Sequence, residues 1–501
     1  MNHEINRLIH FAFLHGMIKE ADIDYAVNLL LDLLKQESFE KEDISEDLEN
    51  PAPILEAMLA RAVDMGVIED SQVQKDLFDC KIMNCVMPRP SEVVERFYTL
   101  YAENPKKATD DYYALSIASN YIRKTRTDKN IRWKSQVKYG EIEISINLSK
   151  PEKDPKDIAK ARLLKSSNYP ACLLCKENVG FAGDLKRDGR VTHRIIPVDL
   201  NGKAYYLQYS PYVYYNEHCI VFNKEHVPMK ISRQTFENLL AFVEKFPHYM
   251  LGSNADLPIV GGSILSHDHY QGGSYHFPIQ DAQVLETFNF KAYPHTDVSL
   301  LNWPLTTIRL QSASKEEIVA LSEKMLLSWK AYSCPELSIL AFTENTPHNT
   351  ITPICRMNNG RFEMDLVLRN NRTSEIYPDG IFHPHQENHH IKKENIGLIE
   401  VMGLAVLPAR LKEELALLED VLTGKTTFEA HECLLKHEVW YNELKSKEIP
   451  ASQVHDALLQ GVSEIFTNVL ENAGVFKLDE TYARETLCAW IKEVGGEQNE
   501  G

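Results

Sequence analysis

The sequence predicts an α+β fold built on an antiparallel sheet, with helical regions at both ends. Three observations carry this. Strand-like and helix-like segments are mixed without a regular β-α-β rhythm, which argues against a parallel sheet. The stretch "DLNGK" (199–203) places Asn-Gly between two strand-like runs, a turn that joins antiparallel neighbours. "EIEISINL" (141–148) alternates strictly, so Ile142, Ile144, Ile146 and Leu148 share a face of a half-buried strand.

The elements follow in order. "EINRLIHFAFLHGM" and "DYAVNLLLDLLKQ" carry apolar residues at helical spacing, and "SEVVERFYTLYAENP" reads as a helix stopped near Pro105. "SKPEKDPKD" (149–157) is a charged, proline-broken linker. "AYYLQY" and "HCIVFN" read as strands and "RQTFENLLAFVEKFPHYM" as a helix. "SASKEEIVALSEKMLLSWKAY" opens with Ser314 and Glu317 at capping-box spacing. "LSILAFTEN" and "FEMDLVLRNN" read as strands, and "ENIGLIEVMGLAVLPARL" with the segments after 411 as helices. The order strand, helix, strand recurs around 204–271 and 304–370, as a loosely duplicated unit would have it. The expected domains are a helical region over 1–130, a catalytic unit over 131–280, a second α+β unit over 281–410 and a helical region over 411–501.

Charge and composition narrow the partners. A net charge of −18 disfavours nucleic acid, because counterion release needs a basic surface. A small anionic substrate needs only a local positive pocket. No run of about 18 uncharged apolar residues occurs, so no membrane span is expected. The charged N-terminus lacks the pattern of a signal peptide, which points to a cytoplasmic location. Nine cysteines without an export signal argue for reduced thiols rather than a disulfide framework.

The chemistry concentrates in "DLPIVGGSILSHDHYQGGSY" (256–275). On a strand His267, His269 and Gln271 would point one way, since side chains alternate faces. The pairs Gly261-Gly262 and Gly272-Gly273 permit close backbone approach at both ends. A neutral imidazole is a good nucleophile and can attack phosphorus. Ser263 and the main-chain N–H groups beside it suit a phosphate. Cys172-x-x-Cys175 has a spacing that fits zinc or a redox pair, and His226 and His267 are candidates to complete a zinc site. In "TPHNTITPICR" and "FEMDLVLRNNRT", His348, Arg356, Arg369 and Arg372 could supply positive charge to phosphates. "HPHQENHHIKK" (383–393) reads as a surface loop or a weak metal contact.

The stretch "DLPIVGGSILSHDHYQGG" resembles the signature of the type 2 galactose-1-phosphate uridylyltransferases. "INLSKPEKDP", "THRIIP", "YYNEHCIVFNKEHVPMKI", "PHNTITPI", "DLVLRNNRT" and "ENIGLIEVMGLAVLPARL" resemble further blocks of that family. More distantly, His-x-His-x-Gln is similar to the type 1 enzymes and the histidine-triad superfamily, which implies histidine-triad-like units in the sheet. The resemblance implies a ping-pong reaction with UDP-glucose and galactose 1-phosphate as substrates. His269 would be the nucleophile, with Gln271 holding the phosphoryl oxygens and Ser263 near the phosphate. The Cys172-x-x-Cys175 spacing leads to the expectation of a structural zinc, with no organic cofactor, and a homodimer is compatible with the sequence. His226 and His348 fall where type 1 enzymes have metal ligands. Glu363 and Asp365 replace the paired histidines of their second metal site, and Asp268 replaces a proline between the motif histidines. A nucleotide-sugar phosphorylase or other nucleotidyltransferase with the same histidine is the main alternative. A zinc-stabilised binding protein and a metal hydrolase are the others.

Overall fold

The computed structural model describes residues 1–149, 168–262 and 264–498. Most of the expected linker, residues 150–157, lies outside them. The N-terminal region is helical, as the apolar spacing requires, with helices at Asn2–Leu14, Ile23–Leu33, Ala52–Asp64, Gln72–Asn84, Pro90–Glu103 and Pro105–Ala118. Pro105 opens a helix as well as closing one. Its missing N–H costs nothing in a first turn. Asn104, between the two helices, accepts the Lys106 N–H through its side chain at 2.8 Å.

In chain order the strands are β1 (Ile131–Val137), β2 (Gly140–Ile146), β3 (Ile196–Leu200), β4 (Lys203–Tyr209), β5 (Cys219–Asn223), β6 (Met250–Gly252), β7 (His269–Gly273), β8 (Val284–Asn289), β9 (Asp297–Leu301), β10 (Thr307–Ser312), β11 (Phe342–Thr343), β12 (Thr346–Pro347), β13 (Asn349–Asn358), β14 (Arg361–Asn370), β15 (Leu404–Leu407) and β16 (Glu497–Gln498). The chain sorts into two units. The first comprises Met1–Lys129 and Leu148–Val227, the second Asn130–Asn147 and Pro228–Gly501.

The first unit joins the N-terminal helices to the antiparallel meander β3-β4-β5. The β3–β4 hairpin turns through Asn201 at φ 53° and Gly202 at φ 77°, the two left-handed positions that an Asn-Gly turn supplies. Tyrosine hydroxyls bind helices to the meander and the loop before it. Tyr98 donates to the Pro197 carbonyl, Tyr112 to that of Arg194 at 2.6 Å, and Tyr121 to that of Tyr209 at 3.0 Å.

The second unit holds a large antiparallel sheet, ordered β16-β8-β9-β10-β14-β13-β6-β7, and a smaller one, β1-β2-β15. The fold is therefore α+β with an antiparallel main sheet, as the sequence predicts. Three local expectations change. Glu143 and Ser145 are buried as well as the isoleucines of β2, because β2 is the central strand of its sheet and Tyr275 donates a hydrogen bond to Glu143. Within 394–410 only Leu398–Val401 is α-helical, Leu404–Leu407 is a strand parallel to β2, and the next helix starts at Leu411. Gly403, at φ 95°, breaks the helix, and the apolar run after it pairs with a neighbour that only the fold supplies. Of "LSILAFTEN" only Phe342–Thr343 is a strand.

Both glycine pairs of the central motif meet other main chain. A Cβ at Gly261 would stand 2.5 Å from the Ala255 oxygen and 2.6 Å from that of Leu257. At Gly272, where β7 pairs with β6, it would stand 2.3 Å from the Met250 oxygen. Gly272→Ala should therefore force β6 and β7 apart and lower stability by about 1–3 kcal/mol, the usual cost of overpacking. A urea unfolding midpoint equal to that of the parent would show that the two strands separate freely.

Candidate active site

His269 is the first residue of β7 and is buried. Its Nδ1 lies 2.8 Å from the His267 carbonyl oxygen. A carbonyl can only accept, so Nδ1 carries the proton and Nε2 keeps its lone pair. Burial lowers the pKa of His269 below the ordinary histidine value, with the His267 hydrogen bond and the Asp268 charge opposing it. The ring is therefore neutral, in one tautomer, with its basic nitrogen turned away from the main chain. Gln271, two residues on, is half-buried.

His267 is not in the strand. Residues 266–267 form a bend, because the His267 carbonyl serves the His269 side chain and leaves the extended path. The expected row of three side chains on one strand is thus two, His269 and Gln271, preceded by a buried His267. Gly261 bridges Ala255 in parallel, and Gly262 packs on the Asn254 side chain. Asn254 in turn accepts the Leu398 N–H at 2.9 Å. Ser263 lies outside the described residues.

The nominated cations differ in their surroundings. Arg356 on β13 is buried and paired with Glu363 and with Asp365 at 2.8 Å, both on β14. Arg309 on β10 grips Asp365 with two nitrogens, at 2.7 and 3.0 Å. Two guanidinium groups and two carboxylates thus neutralise one another across three adjacent strands. Glu363 and Asp365, where a second metal site was in question, hold arginines. Sequence reading passed over Arg309, although a lone charge inside the apolar run "TIRLQS" is the signal that marks such a partner. Arg369 is fully buried; it donates to the Ile396 carbonyl at 2.9 Å and lies 3.4 Å from the Thr352 hydroxyl, and its Nε has no partner among the described residues. Burial brings its pKa down to about 10. Half-exposed Arg372 donates to the Ser338 carbonyl. His348 is held between Asn371 at 2.8 Å and Thr343 at 2.9 Å.

Cys172, Cys175 and His226 belong to the first unit. The two sulfurs are 3.6 Å apart, and the Cys175 sulfur is 3.2 Å from His226 Nδ1. Two thiolates bound at about 2.3 Å to a tetrahedral zinc stand roughly 3.8 Å apart, so the group could hold a metal ion. His267, the remaining candidate ligand, belongs to the second unit. The histidines of 383–393 are employed in their own loop. His385 and His389 bond the Ile381 and Pro384 carbonyls at 3.0 and 2.8 Å. His390 instead meets His437, Nδ1 to Nδ1 at 2.8 Å, and His437 bonds Glu414 at 2.9 Å. Among the described residues this loop forms no group able to hold a metal ion.

Comparison with known proteins gives the chain's relatives. The family model described as galactose-1-phosphate uridyl transferase, N-terminal domain, matches residues 16–228, and that of the C-terminal domain matches 242–432. A galactose-1-phosphate uridylyltransferase of Clostridium acetobutylicum is 55% identical over 480 residues, 95% of this chain and 97% of the relative. One from Caldanaerobacter subterraneus subsp. tengcongensis is 51% identical, covering 95% of each chain. Galactose-1-phosphate uridylyltransferase 2 of Streptococcus pneumoniae serotype 4 is 44% identical, covering 98% of this chain and 99% of the relative.

The ion quartet makes a sharp prediction. Asp365 is buried, which alone would raise its pKa, but the Arg356 and Arg309 charges outweigh this and lower it. A carboxylate with a depressed folded pKa stabilises fully above its ordinary value of 3.8 and loses that contribution as pH falls through the folded pKa. At neutral pH, Asp365→Asn should cost about 3–5 kcal/mol in chemical unfolding, because two buried guanidinium groups lose their shared partner. A loss below about 1 kcal/mol would mean that Glu363 alone suffices.

Proposed function

The chain belongs to the galactose-1-phosphate uridylyltransferase family, and from that premise we propose that it works by a ping-pong reaction through a uridylyl-His269 intermediate. It is a nucleotidyltransferase, and uridylyl transfer in galactose metabolism is its activity. UDP-glucose is the proposed donor and galactose 1-phosphate the acceptor. The observation that supports the histidine route is the hydrogen bond from His269 Nδ1 to the His267 carbonyl, which leaves a neutral Nε2 lone pair.

In the first half-reaction Nε2 attacks the uridylyl phosphorus. A P–N bond forms, the P–O bond to glucose 1-phosphate breaks, and that product leaves with the electron pair. In the second, a phosphate oxygen of galactose 1-phosphate attacks the same phosphorus and the P–N pair returns to Nε2. Gln271 donates its amide N–H to a non-bridging oxygen. The N–H groups of Gly261 and Gly262, with Ser263, are assigned to the same phosphates. Of the nominated cations, Arg369 with its unpartnered Nε and half-exposed Arg372 are the two we carry forward as phosphate contacts. His348 and Arg356 position the strands that bear them.

We assign a zinc ion to Cys172, Cys175 and His226 of the first unit. When bound, such an ion closes its coordination sphere and acts as a structural cross-link. Cys172→Ser should lower zinc content, measured by atomic emission, from about one per chain to near zero. Full retention of zinc would remove Cys172 from the site.

The nucleophile is tested by isotope exchange. With no galactose 1-phosphate present, labelled glucose 1-phosphate should pass into UDP-glucose, and His269→Asn should slow this by at least about 10³-fold. His267→Asn should be milder, since its main-chain carbonyl survives the change. If His269→Asn still exchanged at a substantial rate while His267→Asn did not, the two roles are reversed.

A further inference from the structure

The first unit contains a cavity of about 130 Å³ whose wall includes Tyr121, Arg123, Arg126, Arg190 and Tyr212. That is room for about four waters at their liquid volume, or for one phosphate group. Two of its three arginines have carboxylate partners. Arg126 grips Asp76 with both terminal nitrogens, and Arg123 pairs with Asp79.

Among the described residues Arg190 has no such partner. It is 8% exposed and donates one hydrogen bond, from Nη1 to the Tyr121 hydroxyl at 3.0 Å. That hydroxyl is itself committed to the Tyr209 carbonyl. The guanidinium lies 5.7 Å from the centre of the Tyr121 ring, and its buried Nε has no partner among the described residues. Asp188, two residues away and exposed, contributes charge without a hydrogen bond. The neighbouring Arg194 differs. It is equally buried, yet donates to three carbonyls, those of Pro88, Val191 and His193. A guanidinium carries five N–H donors in a planar fork, and a buried Nε–H left without an acceptor is costly unless an anion or water completes the set. Tyr121 is braced on its other contacts by His193, stacked at 4.9 Å, so the arginine is held on a firm surface.

We infer that this cavity is a phosphate-binding site of the first unit, taking a free phosphate ion or the phosphate of a small ester against the Arg190 guanidinium. The fork matches two phosphate oxygens at once, which a lysine could not do. The inference is independent of the chemistry at His269, because every residue it uses lies in the first unit.

The test is equilibrium dialysis of the full chain with labelled orthophosphate. The parent should bind saturably, Arg190→Gln should bind at least tenfold more weakly, and Arg190→Lys should fall between. Unlabelled galactose 1-phosphate is the second arm. If it displaces the label, the site accepts the ester; if it does not, the site takes the free ion, and either result supports the assignment. Orthophosphate binding that is absent, or that is unchanged in Arg190→Gln, overturns it. Should Arg190→Gln fail to fold by circular dichroism, crystals of the parent soaked in tungstate decide the matter. A heavy anion against Arg190 is expected, and an empty cavity overturns the proposal.

Discussion

One main-chain carbonyl decides what His269 can do. A free imidazole divides its proton between two nitrogens and titrates near neutral pH. The His267 oxygen removes that choice by accepting from Nδ1, and burial disfavours the charged form. The carbonyl can serve only because the chain bends at 266–267, and the bend is held from both sides. Before it, Gly261 lies against the Ala255 and Leu257 oxygens. After it, Gly272 lies against that of Met250. The glycines thus matter for the backbone path more than for flexibility. They let three main-chain segments close to distances at which any other residue would collide.

The same unit handles buried positive charge in two ways, and in the proposed reaction the difference separates scaffold from phosphate contact. Arg309 and Arg356 are neutralised by Glu363 and Asp365 in register across β10, β14 and β13. Such a quartet carries no net charge and welds the middle of the sheet. Among the described residues Arg369 faces no carboxylate at bonding distance, and a carbonyl and a hydroxyl share its protons. A buried cation left in that state is suited to an anionic visitor. In a chain of net charge −18, the positive potential that the proposed diphosphate donor needs must come from few groups shielded from the acidic surface.

The sequence made the chemistry more legible than the geometry around it. His269 and Gln271 could be placed on one strand face because a period of two is a local property of the backbone. His267 could not, since its departure depends on a hydrogen bond between a side chain and the main chain two residues back. Three helices of the first 118 residues, Asn2–Leu14, Ile23–Leu33 and Pro90–Glu103, were readable from apolar spacing, and the stop before Pro105 from its fixed φ, but not the helix that Pro105 opens. Leu404–Leu407 was not, because its strand partner β2 lies more than 250 residues earlier, and an apolar run of four suits either conformation. Arg309 escaped for a related reason. Its charge makes sense only beside Asp365, and that pairing is set by strand register.

The final step concerns water. A phosphoryl-histidine is worth forming only if the next nucleophile is the sugar phosphate, and water is always the more abundant competitor. In the proposed reaction two features work against it. His269 is buried, which limits how many waters reach the phosphorus. Gln271 supplies an N–H donor to the phosphoryl oxygens but has no basic atom at neutral pH, so it cannot strip a proton from water. An acceptor phosphate needs no such help, because it arrives already deprotonated. The choice of glutamine therefore favours the acceptor that brings its own charge, and the same argument explains why a site built for transfer requires cations nearby. The incoming dianion must approach a phosphorus whose oxygens are themselves negative. Without fixed positive charge at that point, the intermediate would be protected from water and from its acceptor alike.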